Sequence, residues 1–326
     1  METFCITRRA AAVALAAALL PVAALAQDFP SRPVTIVVPY GPGSYTDNVI
    51  RPVAVALAKV LGQPVVIDNK AGANGVIGSQ FAARAKPDGY TLLAGSTTTL
   101  AANVGLFKQL PYDPIRDFVP VAGLASTSMM FLVRADYPAK DLKSLIAHAG
   151  RQPQPLAVGY GSSSAQVALA ALSKISGVKF TGVPYKGTPQ AITDLLGGQV
   201  PVAIVDVSNG VPQVRSGKAA AVAISAGKRS SAAPEVPTLE ESFPGVPGTQ
   251  LVTWIGLVAP QGTPQAVVDR IAQAVNTVLA LPEVKQQYVS LSTDLEPMNA
   301  AEMGRRMRGD QTQWLELIKA AGIQPE

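Results

Sequence analysis

Three loops gather the side chains that could act on another molecule or hold it. Tyr40-Gly41-Pro42-Gly43-Ser44-Tyr45-Thr46-Asp47, Gly95-Ser96-Thr97-Thr98-Thr99 and Tyr160-Gly161-Ser162-Ser163-Ser164 each follow a run that predicts a strand. Each offers hydroxyls and glycine-exposed backbone N–H groups without fixed charge, which suits a carboxylate approached from two sides. Ser44, Thr46 or Asp47 can cap a helix, and the N–H groups and dipole at a helix start favour an anion. The same residues also make ordinary capped turns, so composition alone leaves both readings open.

Catalysis has fewer parts to work with. The chain has one Cys, Cys5, and one His, His148. The enzyme reading is a Ser-Ser-Lys amide hydrolase built on Ser162, Ser163 and Ser164 with Lys174 or Lys186, but lysine serves as a base only when its pKa is lowered. His148, just before Gly150, reads as a cation at a helix C-terminus. Gly72-Ala73-Asn74-Gly75-Val76-Ile77-Gly78 lacks the spacing of a dinucleotide loop. Asp47, Asp68 and Asp206 are too dispersed to argue a metal. No catalytic residue, metal or cofactor is therefore expected.

Residues 1–26 read as a secretory signal peptide. Arg8-Arg9 precede an apolar run from Ala10 to Leu25, and Ala24-Leu25-Ala26 provides a cleavage site. At about 16 residues the run is short for a membrane span, so cleavage is favoured over an uncleaved anchor. From Gln27 onward the chain keeps 25 basic and 21 acidic side chains and no cysteine. The one dense basic cluster, Arg305-Arg306-Met307-Arg308, reads as a solvated helix face, and no nucleic-acid partner is expected.

The elements that must position the loops follow from periodicity. With 48% hydrophobic and 15% charged residues, 326 residues suffice for two α/β cores. Val34-Thr35-Ile36-Val37-Val38, Val65-Val66-Ile67 and Tyr90-Thr91-Leu92-Leu93-Ala94 predict strands separated by helical stripes, hence βαβ units and a mostly parallel sheet. Pro52, expected to be comfortable only in a first turn, complicates the first helix. Val119 to Val133 predicts a long strand crossing into a second lobe. Leu156-Ala157-Val158-Gly159-Tyr160, Val200 to Val207 and Ala219 to Ser225 continue the alternation there, and Trp254 to Val258 returns the chain. Residues 27–124 with 250–326 form the expected first lobe and 125–249 the second. Ligands of such sheets bind beyond the carboxyl ends of the strands.

Several segments resemble one family. They are Pro33-Val34-Thr35-Ile36-Val37-Val38-Pro39-Tyr40 with Pro42-Gly43 and Asp47, Asn69-Lys70-Ala71-Gly72-Ala73-Asn74-Gly75, Pro87-Asp88-Gly89-Tyr90, and Leu110-Pro111-Tyr112-Asp113-Pro114. Val183-Pro184-Tyr185-Lys186-Gly187, Asp194 to Val200 and Ala259-Pro260-Gln261-Gly262-Thr263-Pro264 complete the set. Together they resemble the Bug-type receptors, periplasmic substrate-binding proteins of tripartite tricarboxylate transporters. The resemblance implies an α/β, two-lobed periplasmic-binding-protein fold, type II-like, with a ligand cleft between the lobes. It also implies a monomeric receptor that passes a small organic carboxylate, a dicarboxylate or an aromatic acid, to membrane transporter subunits. A receptor signalling to a sensor kinase would share the fold.

Ligand contacts are expected from Tyr40, Gly43, Ser44, Tyr45, Asp47, Ser96, Thr97, Thr98, Ser162, Ser163, Tyr185, Lys186 and Asp206. Two departures from the family pattern fall on these loops. Ser44-Tyr45 stands where a second glycine is usual, and Gly161-Ser162-Ser163-Ser164-Ala165 is about three residues shorter than the family's Gly-Ser-x-Gly-x-Gly loop. Tyr45 is expected to shape the space behind the carboxylate while contributing little to either core.

Overall fold

The β-branched runs become strands and the apolar stripes become helices, in the predicted alternation. The computed structural model describes residues 29–246 and 248–325; the expected signal peptide and Cys5 lie outside the described residues. In the first lobe Val34–Val38 (β1), Val65–Asn69 (β2) and Thr91–Ser96 (β3) are parallel in the order β2-β1-β3. Val34 stands opposite Val65, and Thr35 opposite Thr91. The Tyr45–Leu61 helix packs Val49, Val53 and Leu57 with Ile36, Val38 and Leu92, beside Ile271 and Val275 of the Gln265–Ala280 helix. On the opposite face Val37 and Leu93 meet Trp254, Met303 and Met307.

Pro52 lies in the interior of the Tyr45–Leu61 helix, not its first turn. Such a proline costs about 3 kcal/mol. The helix continues because buried Val49 and Ile50 precede it and buried Val53, Ala54 and Leu57 follow it, so packing on both sides outweighs the lost bond.

The second lobe repeats the scheme with Leu156–Tyr160 (β5), Phe180–Pro184 (β6) and Val202–Asp206 (β7), parallel in the order β7-β5-β6. The Ser163–Ser176, Thr188–Leu196 and Val207–Arg215 helices follow these strands. One strand serves both lobes: Phe118–Arg134 (β4) is 17 residues long. It pairs with Val252–Pro260 (β9) as far as Ser128 and with β7 from Met129 onward.

Every pairing of β4 and β9, and of the flanking strands Ala219–Ile224 (β8) and Asp294–Met298 (β10), is antiparallel. The expected mostly parallel arrangement therefore holds within each βα unit but not at the crossing. An outgoing strand and its return lie side by side, and such neighbours must run in opposite directions. The edge strand β6 and the Pro-containing β10 escaped the periodicity, since single-partner strands tolerate proline and glycine.

Ser225 joins the two crossings. Its N–H donates to Met129 O at 2.8 Å and its hydroxyl donates to Leu251 O at 3.0 Å, while Met129 N–H donates to Ser225 Oγ at 3.0 Å. The Ala300–Ala320 helix runs across both lobes, placing Trp314 and Ile318 in the core with Val158 and Val167. Arg306 on that helix is not simply solvated: it pairs with Asp310 and Glu296. Among the described residues no helix is long and apolar enough to cross a membrane.

Candidate functional site

A small cavity sits where the lobes meet. Its free volume is about 30 Å³, room for a water molecule or two. Its wall is built from residues at or just beyond the ends of five parallel strands: Tyr40 and Ser44 after β1, Ser96 at the end of β3 and Thr98 after it, Ser162 and Ser164 after β5, Thr188 after β6, and Asp206 at the end of β7. Met129, Thr253 and Ile255 of the crossing strands form its floor.

Helix starts converge on it. Ser44 caps the Tyr45–Leu61 helix by accepting from Asp47 N–H at 3.3 Å, and Ser162 caps the Ser163–Ser176 helix by accepting from Ala165 N–H at 3.3 Å. Thr188 and Asp206 stand at the starts of two further helices. Four helix starts thus turn the positive ends of their dipoles toward one space, and among the described residues no Lys, Arg or His lines it.

Hydroxyls meet across the same space. Tyr40 Oη lies 3.1 Å from Ser96 Oγ, and Thr98 Oγ1 lies 3.1 Å from Ser164 Oγ on the other lobe. Ser163 Oγ donates to Asn103 Oδ1 at 3.0 Å, and Asn48 Nδ2 donates to Asn209 Oδ1 at 3.3 Å, also between lobes. The lobes are thus closed over the cavity, and entry of a ligand requires them to part. Burial pushes the Tyr40 hydroxyl up to about 12, against hydrogen bonds from Ser96 and Thr98, so it remains a neutral donor at physiological pH.

Tyr45 departs from its expected role. Its ring lines the cavity, but it is only 4% exposed and belongs to the first lobe's core with Val49 and Tyr288. The residue begins a helix rather than riding on a loop, so its side chain is drawn into the core. Its hydroxyl is buried with no hydrogen-bond partner, and burial holds its pKa well above 10.

Of the expected contacts, Tyr40, Ser44, Tyr45, Ser96, Thr98, Ser162 and Asp206 line the cavity. The others stand behind it or at its rim. Asp47 accepts from Gly43 N–H at 2.9 Å, from Arg51 at 2.8 Å and from Asn69 at 2.9 Å. Burial raises its pKa, but these bonds together outweigh burial and lower it. Gly43 adopts φ +77°, and a Cβ there would come within 3.6 Å of Pro189 on the opposite lobe. Thr97 Oγ1 accepts from Trp254 N–H at 2.9 Å, and Ser163 is spent on Asn103. Tyr185 donates to Asp194 at 2.7 Å; burial first, then this bond, push it up to about 12. Lys186 is exposed.

Thr188, Ser164 and Gly161 are lining residues that sequence reasoning missed. Gly187-Thr188-Pro189 had a detectable signal, a helix start with proline in its first turn. Gly161 is needed for contact between loops: a Cβ there would lie 2.2 Å from Thr188 N. Met129, Thr253 and Ile255 carried no local signal, being ordinary strand residues. Lys174, weighed as a base, donates instead to Ala320 O at the C-terminal helix end, and His148 is bonded to Gln152 in its own helix region.

Ser96→Ala removes the hydroxyl beside Tyr40 from a buried position. If Ser96 holds the ligand, affinity falls by about tenfold to a hundredfold, equivalent to about 1–3 kcal/mol. Calorimetric titration of the folded variant checks this, and an unchanged affinity would remove Ser96 from the site.

Known proteins share this architecture. The model of the tripartite tricarboxylate transporter family receptor matches residues 49–323. Protein BugT of Bordetella pertussis is 33% identical over 281 residues, 85% of each chain. MatC of Rhodopseudomonas palustris, solved with bound malate, is 34% identical and superposes with a TM-score of 0.84, covering 89% of this chain and all of that one. A second R. palustris protein, solved with adipate, is 29% identical with a TM-score of 0.85 over 91% of this chain and all of its own. Agreement in sequence and in fold through both lobes leads to one conclusion: the chain belongs to the receptor family of the tripartite tricarboxylate transporters.

Proposed function

We propose that this protein is an exported solute-binding receptor that captures a small organic carboxylate between its lobes and delivers it to the membrane subunits of a tripartite tricarboxylate transporter. The observation that carries this reading is the convergence of four helix starts and a ring of hydroxyls on one interlobe cavity with, among the described residues, no Lys, Arg or His in its wall. Micromolar capture needs about 8 kcal/mol. Several charge-assisted hydrogen bonds at about 1.5–3 kcal/mol each, with apolar burial, supply that and the ordering cost.

The lobes we assign, 27–124 with 250–326 and 125–249, would swing about the two crossings that Ser225 joins. In the exported form Gln27 would be the first residue, which mass spectrometry of periplasmic material checks.

The decisive experiment screens the chain from Gln27 against a panel of mono- and dicarboxylates by thermal shift, since a ligand selective for the native state raises its stability. The best binder should be recovered chemically unchanged after incubation with the protein. Absence of any shift across the panel would refute carboxylate capture, and chemical conversion of the ligand would favour an enzyme.

A further inference from the structure

We propose that Asp206 is a specificity-determining counter-charge in the cleft, and that the molecule this protein takes is a small aminocarboxylate, its cationic nitrogen against Asp206 and its carboxylate against the hydroxyls and helix starts opposite. The inference rests on the carboxylate reading above and narrows it.

Among the described residues Asp206 is the only charged one in the cavity wall, and it is 7% exposed. Its position makes its orientation informative. It is the N-cap residue of the Val207–Arg215 helix, yet its side chain makes no capping bond to that helix. An N-cap aspartate ordinarily accepts from its own helix's second or third N–H. Here the carboxylate accepts instead from Thr188 Oγ1 at 3.1 Å, and it faces the cavity.

Among the described residues no cationic side chain lines the cavity beside it, so the helix starts are the positive ends it meets. On β4 its register partner is Met129. The Thr188–Leu196 helix contributes Thr188, and its own helix contributes Val207 and Ser208, both uncharged. From the first lobe the titratable groups facing it are Tyr40 and Tyr45, both held neutral by burial. Asp47, in the Tyr45–Leu61 helix, is already paired with Arg51.

A buried carboxylate without a countercharge is unfavourable, and burial accordingly pushes Asp206 up to about 6. A plain dicarboxylate would set a second negative charge near it. A ligand cation would neutralise it, and the hydroxyls and helix starts would remain for the carboxylate.

The test is calorimetric titration at pH 7.5 with matched pairs: butyrate and 4-aminobutyrate, succinate and aspartate, glutarate and glutamate, benzoate and 4-(aminomethyl)benzoate. In at least one pair the amino member should bind about tenfold or more tightly than its plain counterpart. Its affinity should fall about tenfold between pH 7.5 and pH 5, because Asp206 gains a proton while the ligand's groups keep their charges. Asp206→Asn should weaken the amino member by about thirtyfold or more and remove the pH dependence, without weakening the plain member.

Tighter binding of the plain member in every pair overturns the inference and leaves carboxylate capture standing. Amino members that bind equally well to Asp206→Asn overturn it too. If no compound of either kind binds, carboxylate capture itself fails and the inference fails with it. Should circular dichroism show Asp206→Asn misfolded, the pH profile of the unmodified protein decides, because only an ionised partner loses affinity on acidification.

Discussion

Trp254→Ala is expected to lower stability by about 4 kcal/mol, the scale for emptying a large aromatic from a core. The ring is fully buried in the first lobe among Val37, Leu93 and Met307. Its indole N–H donates to Asp310 Oδ2 at 2.6 Å, so truncation also deprives a nearly buried carboxylate of a donor. The backbone N–H of the same residue donates to Thr97 Oγ1 in the loop after β3, and a collapsing cavity would shift that loop. Trp254→Phe separates the two contributions: it keeps most of the apolar fill and loses the indole bond, at about 1–3 kcal/mol. Urea unfolding of the three proteins, compared by midpoint at equal slope, measures both. A loss below about 1 kcal/mol for Trp254→Ala would mean that the ring is not packed as described.

Asp206→Asn should make the unliganded protein more stable above pH 6, and not below pH 4. Burial raises the pKa of Asp206 from 3.8 to about 6, with Thr188 only partly opposing. The folded state therefore holds this proton more tightly than the unfolded chain. Its contribution is fully present below the unfolded pKa and is lost as pH rises through the folded one. Above that window the ionised carboxylate costs about 3 kcal/mol, which asparagine, unable to ionise, does not incur. Thermal unfolding of both proteins from pH 4 to pH 8 should give melting curves that coincide at the acid end and separate by several degrees at the other. Parallel behaviour at every pH would show that Asp206 is better solvated than the closed cleft implies. A destabilising acid kept in a binding site is the usual sign of stability exchanged for recognition.

Much of this molecule is written locally. The β-branched runs before Tyr40, Gly95 and Tyr160 predict β1, β3 and β5, and the loops that follow them do reach the cleft. Ser44 and Ser162 could be read as caps because capping depends on residues three apart in the chain. The long run from Val119 to Val133 already carried the chain from one lobe to the other as β4.

What the sequence could not settle was which neighbouring hydroxyl faces the cavity. Thr98 and Ser164 line it, whereas Thr97 and Ser163, one residue earlier, turn away to Trp254 and Asn103. In a helical turn consecutive side chains point about 100° apart, so equal chemistry at adjacent positions ends in different surroundings. Asp206 depends still more on distant chain. Nothing near it in sequence marks it as the one charge that, among the described residues, lines the cleft, because its surroundings are made by Tyr40, Tyr45, Met129 and Thr188 arriving from four other elements. Caps and strands are contracts between near neighbours, and local sequence determined them; the desolvation of a charge is summed over everything packed around it, and only the assembled lobes decided it.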